Sequence, residues 1–219
     1  MDPKEILNKD ADGKPVDSTV FKSLVGGLRY LVHTRPDIAY SVGIVSRYME
    51  RPTVQHLNAA KRILRYIKRT LNFGLVYSKN GENTLLMGYS HSDLAGHVDD
   101  RKSTGGMAFY LNENLITWVS QKQKCVALSS CEAEFMPVTD AACQAIWLRN
   151  LLRQVTGKYD GPVVLFIDNQ SAIDLAKNPV FHGRSKHIDI RYHFIRECME
   201  KGEIIINHIC KELEGSYHD

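Results

Sequence analysis

Val163-Val-Leu-Phe-Ile-Asp-Asn169 is the stretch that decides how this chain folds. Its five apolar residues are too few for a helix and lack the alternation of a strand with one wet face. Such a run reads as a central strand covered on both sides, as in a sheet layered with helices. It stops on a carboxylate. An ionised Asp168 at the end of a buried strand needs a cation or hydrogen-bond donors, so this strand is expected to deliver a functional residue.

Moving outward, Ser129-x-x-Glu132 is a capping-box signature that predicts a long helix to about Val155. Ala133, Ala141, Ala145, Trp147, Leu148 and Leu151 are its inward candidates. Three short β-like runs come before it: Leu85–Tyr89, Gly106–Leu111 and Leu115–Val119, the last two joined by Asn112-Glu-Asn114 as a hairpin. After the central strand, the pattern predicts a helix over Ser171–Lys177, a loop over 178–185, a helix from about Asp189 to Lys201 and a strand Glu203–Ile209. The order βββαβααβ describes a mixed sheet flanked by helices, an α/β architecture.

Upstream of the turn Ser78-Lys-Asn-Gly81 the period is helical. Val20, Leu24, Val25, Leu28 and Leu31 mark a helix over Ser18–Leu31. Thr34-Arg-Pro-Asp37 starts a second, which runs to about Met49 and is stopped by Arg51-Pro52; there Asp37 is expected to face the positive helix end. A third, His56–Thr70, carries Leu57, Ala60, Ile63, Leu64 and Ile67 on one side. Lys61, Arg62, Arg65, Lys68 and Arg69 cover the other. That basic side reads either as a solvated helix surface or as a patch that tracks phosphates. Residues 10–17 form a loop; Asp10, Asp12 and Gly13 fall short of a calcium loop because further oxygen ligands are lacking and Pro15 interrupts them.

The 219 residues, 43% hydrophobic and 24% charged, exclude collagenous, disulfide-framed and disordered chains. The net charge of +3 hides an asymmetry: residues 1–80 carry 14 Lys/Arg against 7 Asp/Glu, and residues 81–219 carry 14 against 18. Five cysteines without a CxxC pair point to a reducing compartment and structural thiols. No apolar run approaches the ~20 residues of a membrane span, and Met1-Asp-Pro-Lys-Glu lacks the features of a targeting segment. The expected location is intracellular, cytoplasmic or nuclear, without membrane insertion. The later histidines, His182, His187, His193, His208 and His218, fit no zinc spacing.

Six segments together resemble one family: Gly88-Tyr-Ser-His-Ser-Asp-Leu-Ala-Gly96, Asp100-Arg-Lys-Ser-Thr-Gly105, Trp118-Val-Ser-Gln-Lys-Gln123, Ala127-Leu-Ser-Ser-Cys-Glu-Ala-Glu-Phe135, Asp168-Asn-Gln-Ser-Ala-Ile173 and Lys186-His-Ile-Asp-Ile-Arg-Tyr-His-Phe194. They look like the ribonuclease H domain of copia-type retrotransposon polyproteins. Leu24-Val-Gly-Gly-Leu-Arg-Tyr-Leu31, Thr34-Arg-Pro-Asp-Ile-Ala39 and Lys61-Arg-Ile-Leu-Arg-Tyr-Ile67 resemble the thumb and connection region that precedes it. The resemblance implies a helical region over 1–80, a ribonuclease H-like domain over 81–212 and a divergent tail over 213–219. In an intact member it also implies cleavage of the RNA strand of an RNA–DNA hybrid by two magnesium ions held on carboxylates. Asp168 then matches a catalytic aspartate and Glu134 the catalytic glutamate, which leaves Glu132 as the capping residue.

Departures from the family pattern point away from catalysis. The resemblance implies an aspartate that bridges both metals where this chain has His91. Imidazole offers one nitrogen lone pair and does not bridge two hard cations. Asp93, two residues on, returns to the same strand face but about 6–7 Å away, and is the candidate substitute. The match fades near Glu212, where family members supply a fourth carboxylate, and the chain reads as a free-standing fragment starting at Met1. Pro137 interrupts the long helix, and His97 stands where the family favours aspartate. The expectation is a ribonuclease H-like protein without catalysis, a module for an unknown protein partner or for an RNA–DNA hybrid or other nucleic acid held by the basic helix. The alternative is residual hydrolysis with Mg2+ on Asp93, Glu134 and Asp168.

Overall fold

In the computed structural model, residues 7–9, 13–79, 84–157, 159–177 and 186–209 are described. The boundary at residue 80, the loop 178–185, the tail 213–219, and Asp10 and Asp12 of the rejected calcium loop lie outside them. The element order is α1 (Ser18–Leu31), α2 (Ala39–Val45), α3 (Val54–Arg69), β1 (Leu86–Ser92), β2 (Thr104–Leu111), β3 (Asn114–Lys122), α4 (Ser130–Thr156), β4 (Val163–Ile167), α5 (Gln170–Lys177), α6 (Lys186–Glu200) and β5 (Ile204–His208). From β1 onward this is the order expected.

The five strands form one sheet in the order β3-β2-β1-β4-β5. β1 pairs antiparallel with β2 and parallel with β4, β2 pairs antiparallel with β3, and β4 pairs parallel with β5. This mixed sheet with flanking helices is the ribonuclease H-like fold. Its core joins Leu86, Phe109, Leu165, Ile167 and Ile206 to Phe135, Val138, Ala141, Ala142 and Ala145 of α4. The alanines let α4 lie close on the sheet, so the long helix is held by closely packed area rather than by large side chains. Trp147 and Leu151, expected inward, are 57% and 40% exposed, because the buried stripe narrows to Ala141, Ala142, Ala145 and Leu148. β4 corrects another expectation: Val163, Leu165 and Ile167 are buried while Val164 and Phe166 are only partly covered. On that second face Phe166 stacks on Tyr89, ring centroids 5.1 Å apart.

Gly88 shows why β1 carries a glycine at its centre. A Cβ there would stand 2.6 Å from both Leu165 Cδ2 and Phe109 Cε1, so hydrogen alone fits between these side chains. At the start of α4, Ser129 Oγ accepts the Glu132 N–H at 3.1 Å, as the capping box requires. Glu132 instead accepts from the Leu128 N–H at 2.8 Å, one residue before the expected partner. Pro137 removes the helix donor that would reach the Ala133 carbonyl. Gln123 takes its place: Nε2 donates to Ala133 O at 2.7 Å and to Ser92 Oγ at 3.0 Å. The proline ring also packs against Gly105 of β2, where a Cβ would come within 3.0 Å of Pro137 Cβ.

The helical region has its own core of Leu7, Phe21, Val25, Leu28, Ile38, Val42, Val45, Tyr48, Ala59, Ala60 and Ile63. Asp17 caps α1 by accepting the Thr19 N–H at 2.7 Å. The single helix expected from Thr34 to Met49 is broken into 3-10 turns at Pro36–Ile38 and Ser46–Tyr48 around the seven-residue α2. Asp37 lies in the first turn of the 3-10 stretch Pro36–Ile38, and its two oxygens also accept from Arg35 Nε at 2.9 Å and Nη2 at 2.7 Å. The buried Arg35 also donates to Thr70 O at 2.9 Å, which ties the end of α3 to this turn. α3 starts where Thr53 N–H donates to His56 Nδ1 at 3.0 Å, so Nε2–H donates to Asn8 O at 3.1 Å.

The two regions meet along β3 and the loop after β1. Trp118 Nε1 donates to Val32 O at 3.1 Å, and Arg47 Nη2 donates to Thr104 Oγ1 at 2.9 Å. Tyr48 stacks on His56, centroids 4.2 Å apart, and faces His97 from 6.3 Å. His97 is thus part of the seam between the regions. Buried, and 2.8 Å from Asp100, it has its pKa lowered chiefly by burial. Among the described residues no helix is long and apolar enough to cross a membrane.

Candidate active site

β1, α4 and β4 each deliver one side chain to the same place. The parallel register sets Ser90 opposite Ile167, so the next positions, His91 near the end of β1 and Asp168 just past β4, lie side by side. Glu134 comes from the second turn of α4. Its Oε1 accepts the Ser92 N–H at 3.0 Å, which fixes the helix against the end of β1. His91 Nδ1 lies 3.1 Å from Glu134 Oε1 and 2.9 Å from Asp168 Oδ2, between the two carboxylates. Glu134 is 6% exposed, Asp168 45% and His91 66%.

The electrostatics follow from this placement. The hydrogen bond to Glu134 raises the His91 pKa most; burial opposes it, and the charges of Glu134 and Asp168 add to the rise, to about 9. At neutral pH the ring is therefore an imidazolium, a cation supplied by the chain between the carboxylates. Glu134 Oε2 is buried and accepts no hydrogen bond among the described residues.

Asp93, the candidate substitute, is not brought to this cluster. β1 ends at Ser92, so the alternation that would return Asp93 to the His91 face is broken one residue early. Asp93 instead organises the following loop: Oδ1 accepts the Thr104 N–H at 2.6 Å, its own N–H donates to Thr104 O at 3.2 Å, and its carboxylate packs under Gly96. The group of possible ligands among the described residues is His91, Glu134 and Asp168, with one donor atom each within 4.8 Å of the others. Two magnesium ions do not fit it. Magnesium prefers oxygen donors, two ions need a bridging carboxylate, and here a ring nitrogen hydrogen-bonded to both carboxylates stands in that position.

Sequence reasoning missed two supporting groups. His208 Nε2 lies 3.1 Å from the Asp168 carbonyl oxygen, and the Ile209 N–H donates to Ile167 O at 2.9 Å, so the end of β5 steadies the turn that presents Asp168. The pairing of Ile167 with His208 puts them there, and strand pairing is not written in either strand alone. Gln123 is the other, and its signal was Pro137 itself: a proline within a helix leaves a carbonyl in need of a donor. The five basic residues of α3, Lys61, Arg62, Arg65, Lys68 and Arg69, are all exposed, and Lys68 and Arg69 fall in its last turn. Leu64, expected on the apolar side, is 41% exposed.

No protein-family model matches the chain. It is 45% identical over 181 residues to the retrovirus-related Pol polyprotein from transposon TNT 1-94 of Nicotiana tabacum, covering 82% of this chain and 13% of that protein. It is 42% identical over 209 residues to the retrovirus-related Pol polyprotein from transposon RE1 of Arabidopsis thaliana, covering 95% and 14%. The chain thus spans about one seventh of the length of these relatives. A third relative, the secreted RxLR effector protein 161 of Plasmopara viticola, is 43% identical over 138 residues, 63% of this chain and 96% of that protein. Among solved structures, a foamy viral protease-reverse transcriptase in complex with double-stranded DNA superposes over 91% of this chain and 33% of its own, with TM-score 0.58 and 12% identity. LC11-RNase H1 in complex with an RNA/DNA hybrid covers 59% of this chain and 88% of its own, with TM-score 0.42 and 11% identity.

Proposed function

The chain belongs to the Pol polyproteins of copia-type retrotransposons, and from that premise we propose that this segment binds nucleic acid without cleaving it. One observation carries the loss of cleavage: His91 Nδ1 lies within hydrogen-bond reach of both Glu134 and Asp168. Two-metal hydrolysis needs a carboxylate there to bridge the ions, one generating the hydroxide and the other taking up charge on the leaving oxygen. An imidazolium neutralises the same carboxylates but supplies neither role. Asp93, the candidate substitute, is committed to the Thr104 N–H.

The binding half of the proposal rests on α3. Its apolar side is anchored by Ala59, Ala60 and Ile63, so five cationic side chains are displayed on a rigid element with no acidic residue in the first turn. Such a surface binds phosphates through charge and release of counterions. The superposition on the foamy viral protease-reverse transcriptase, which was solved in complex with double-stranded DNA, is consistent with a nucleic-acid ligand, and the chemistry favours a duplex backbone over a particular base sequence.

The test is fluorescence anisotropy on a short RNA–DNA hybrid in EDTA, with the RNA strand then run on a denaturing gel after incubation with Mg2+. Saturable, salt-sensitive binding with intact RNA is the expected result. Absence of binding at low salt would overturn the nucleic-acid reading and leave a protein partner as the remaining class.

A further inference from the structure

We infer that His91, Glu134 and Asp168 form a site for one borderline divalent cation of the zinc or cobalt class, in place of the two magnesium ions for which a family member's carboxylates are suited. The inference rests on the reading that His91 has displaced the bridging carboxylate, and it concerns what that change creates rather than what it removes.

The donor set argues first. One imidazole nitrogen and two carboxylates make a mixed set that zinc, cobalt and similar ions accept readily and magnesium does not. Spacing comes next. His91 Nδ1 stands 2.9 Å and 3.1 Å from one oxygen of each carboxylate. An ion with bonds of about 2.1 Å holds neighbouring donors roughly 3.0–3.4 Å apart, and the three donors lie within 4.8 Å of one another, so side-chain adjustment opens the place for it as Nδ1 releases its proton to solvent and turns its lone pair to the metal. The three donors come from a strand, a helix and the end of a second strand, and two are already steadied from behind: Ser92 N–H on Glu134, and the end of β5 on the Asp168 backbone. Such backing groups keep metal ligands oriented.

The independent sign of a missing cation is Glu134 Oε2. This oxygen belongs to a side chain only 6% exposed and has no hydrogen-bond partner among the described residues. A buried carboxylate oxygen left without a donor is costly, and a cation bound by the Glu134 carboxylate offsets that cost. The opposite side is open, with His91 66% and Asp168 45% exposed, which provides an entry path and space for water to complete the coordination.

The experiment is a Co2+ titration of the whole chain, followed by visible absorption and by calorimetry, with Zn2+ and Mg2+ as competitors. The expected result is one Co2+ per chain, displaced by Zn2+ and not by millimolar Mg2+, and weakened at least about tenfold in both His91→Ala and Asp168→Asn. These variants change exposed side chains; circular dichroism confirms their fold, and the buried Glu134 is left intact. Equal binding by wild type and both variants would identify an adventitious ion on other histidines and overturn the inference. Displacement of Co2+ by Mg2+ at equal concentration would also overturn it. Hybrid binding measured in EDTA is independent of either outcome, so a failed metal site is distinguishable from a failed nucleic-acid reading.

Discussion

At the scale of single residues, His91 has the largest consequence. Its pKa is raised above the ordinary 6.5 to about 9. A folded-state pKa above the unfolded one means stabilisation that is full below about pH 6.5 and is lost as pH rises through about 9. With two-thirds of the ring exposed, water screens the ion pairs and the effect is small. The urea midpoint of the wild type is expected to fall relative to His91→Asn between pH 7 and 10, with the two converging at the alkaline end; parallel curves would show that the imidazolium contributes nothing. His91→Asp is expected to reverse the ion preference and admit Mg2+, read by calorimetry. In the sequence, the identity of His91 and the pairing of Glu134 with Asp168 were legible because the motif places them at the ends of recognisable elements. The failure of Asp93 to join them was not, since it depends on β1 ending at Ser92 and on a backbone N–H eleven residues away.

At the scale of elements, α4 shows where a local rule and the tertiary structure meet. A proline in mid-helix reads as a kink, yet Gln123 satisfies the carbonyl that Pro137 leaves without its helix partner. Gln123→Ala is expected to destabilise the fold by about 1–3 kcal/mol in urea unfolding, because Ala133 O then lacks its donor. Substituting Pro137→Ala alongside it restores a helix N–H for the same carbonyl and is expected to recover part of the loss. If the double variant recovers nothing, the role of Gln123 lies elsewhere, in its bond to Ser92. Gly88→Val is expected to cost at least about 1–3 kcal/mol by overpacking against Leu165 and Phe109. Helix and strand periods made nearly every element legible from sequence. The exceptions are the helix expected over Thr34–Met49, which is broken into 3-10 turns on either side of α2, and α4, whose small residues narrow its buried stripe.

At the scale of the whole molecule, the net charge of +3 divides into a basic helical region and an acidic sheet region whose carboxylates include Glu134 and Asp168. The basic excess is concentrated on α3, so neutralising Lys61, Arg65 and Arg69 together is expected to weaken hybrid binding. For every phosphate that the variant no longer neutralises, the slope of log affinity against log salt is expected to fall by about 0.9. An unchanged slope would place the nucleic-acid surface away from α3. The central claim, that an RNase H-like fold here has lost two-metal hydrolysis through His91, is tested most directly by incubating the wild-type chain with an RNA–DNA hybrid in Mg2+ and in Mn2+. No RNA cleavage above that of Asp168→Asn is expected. Cleavage by the wild type that disappears in Asp168→Asn would contradict the account.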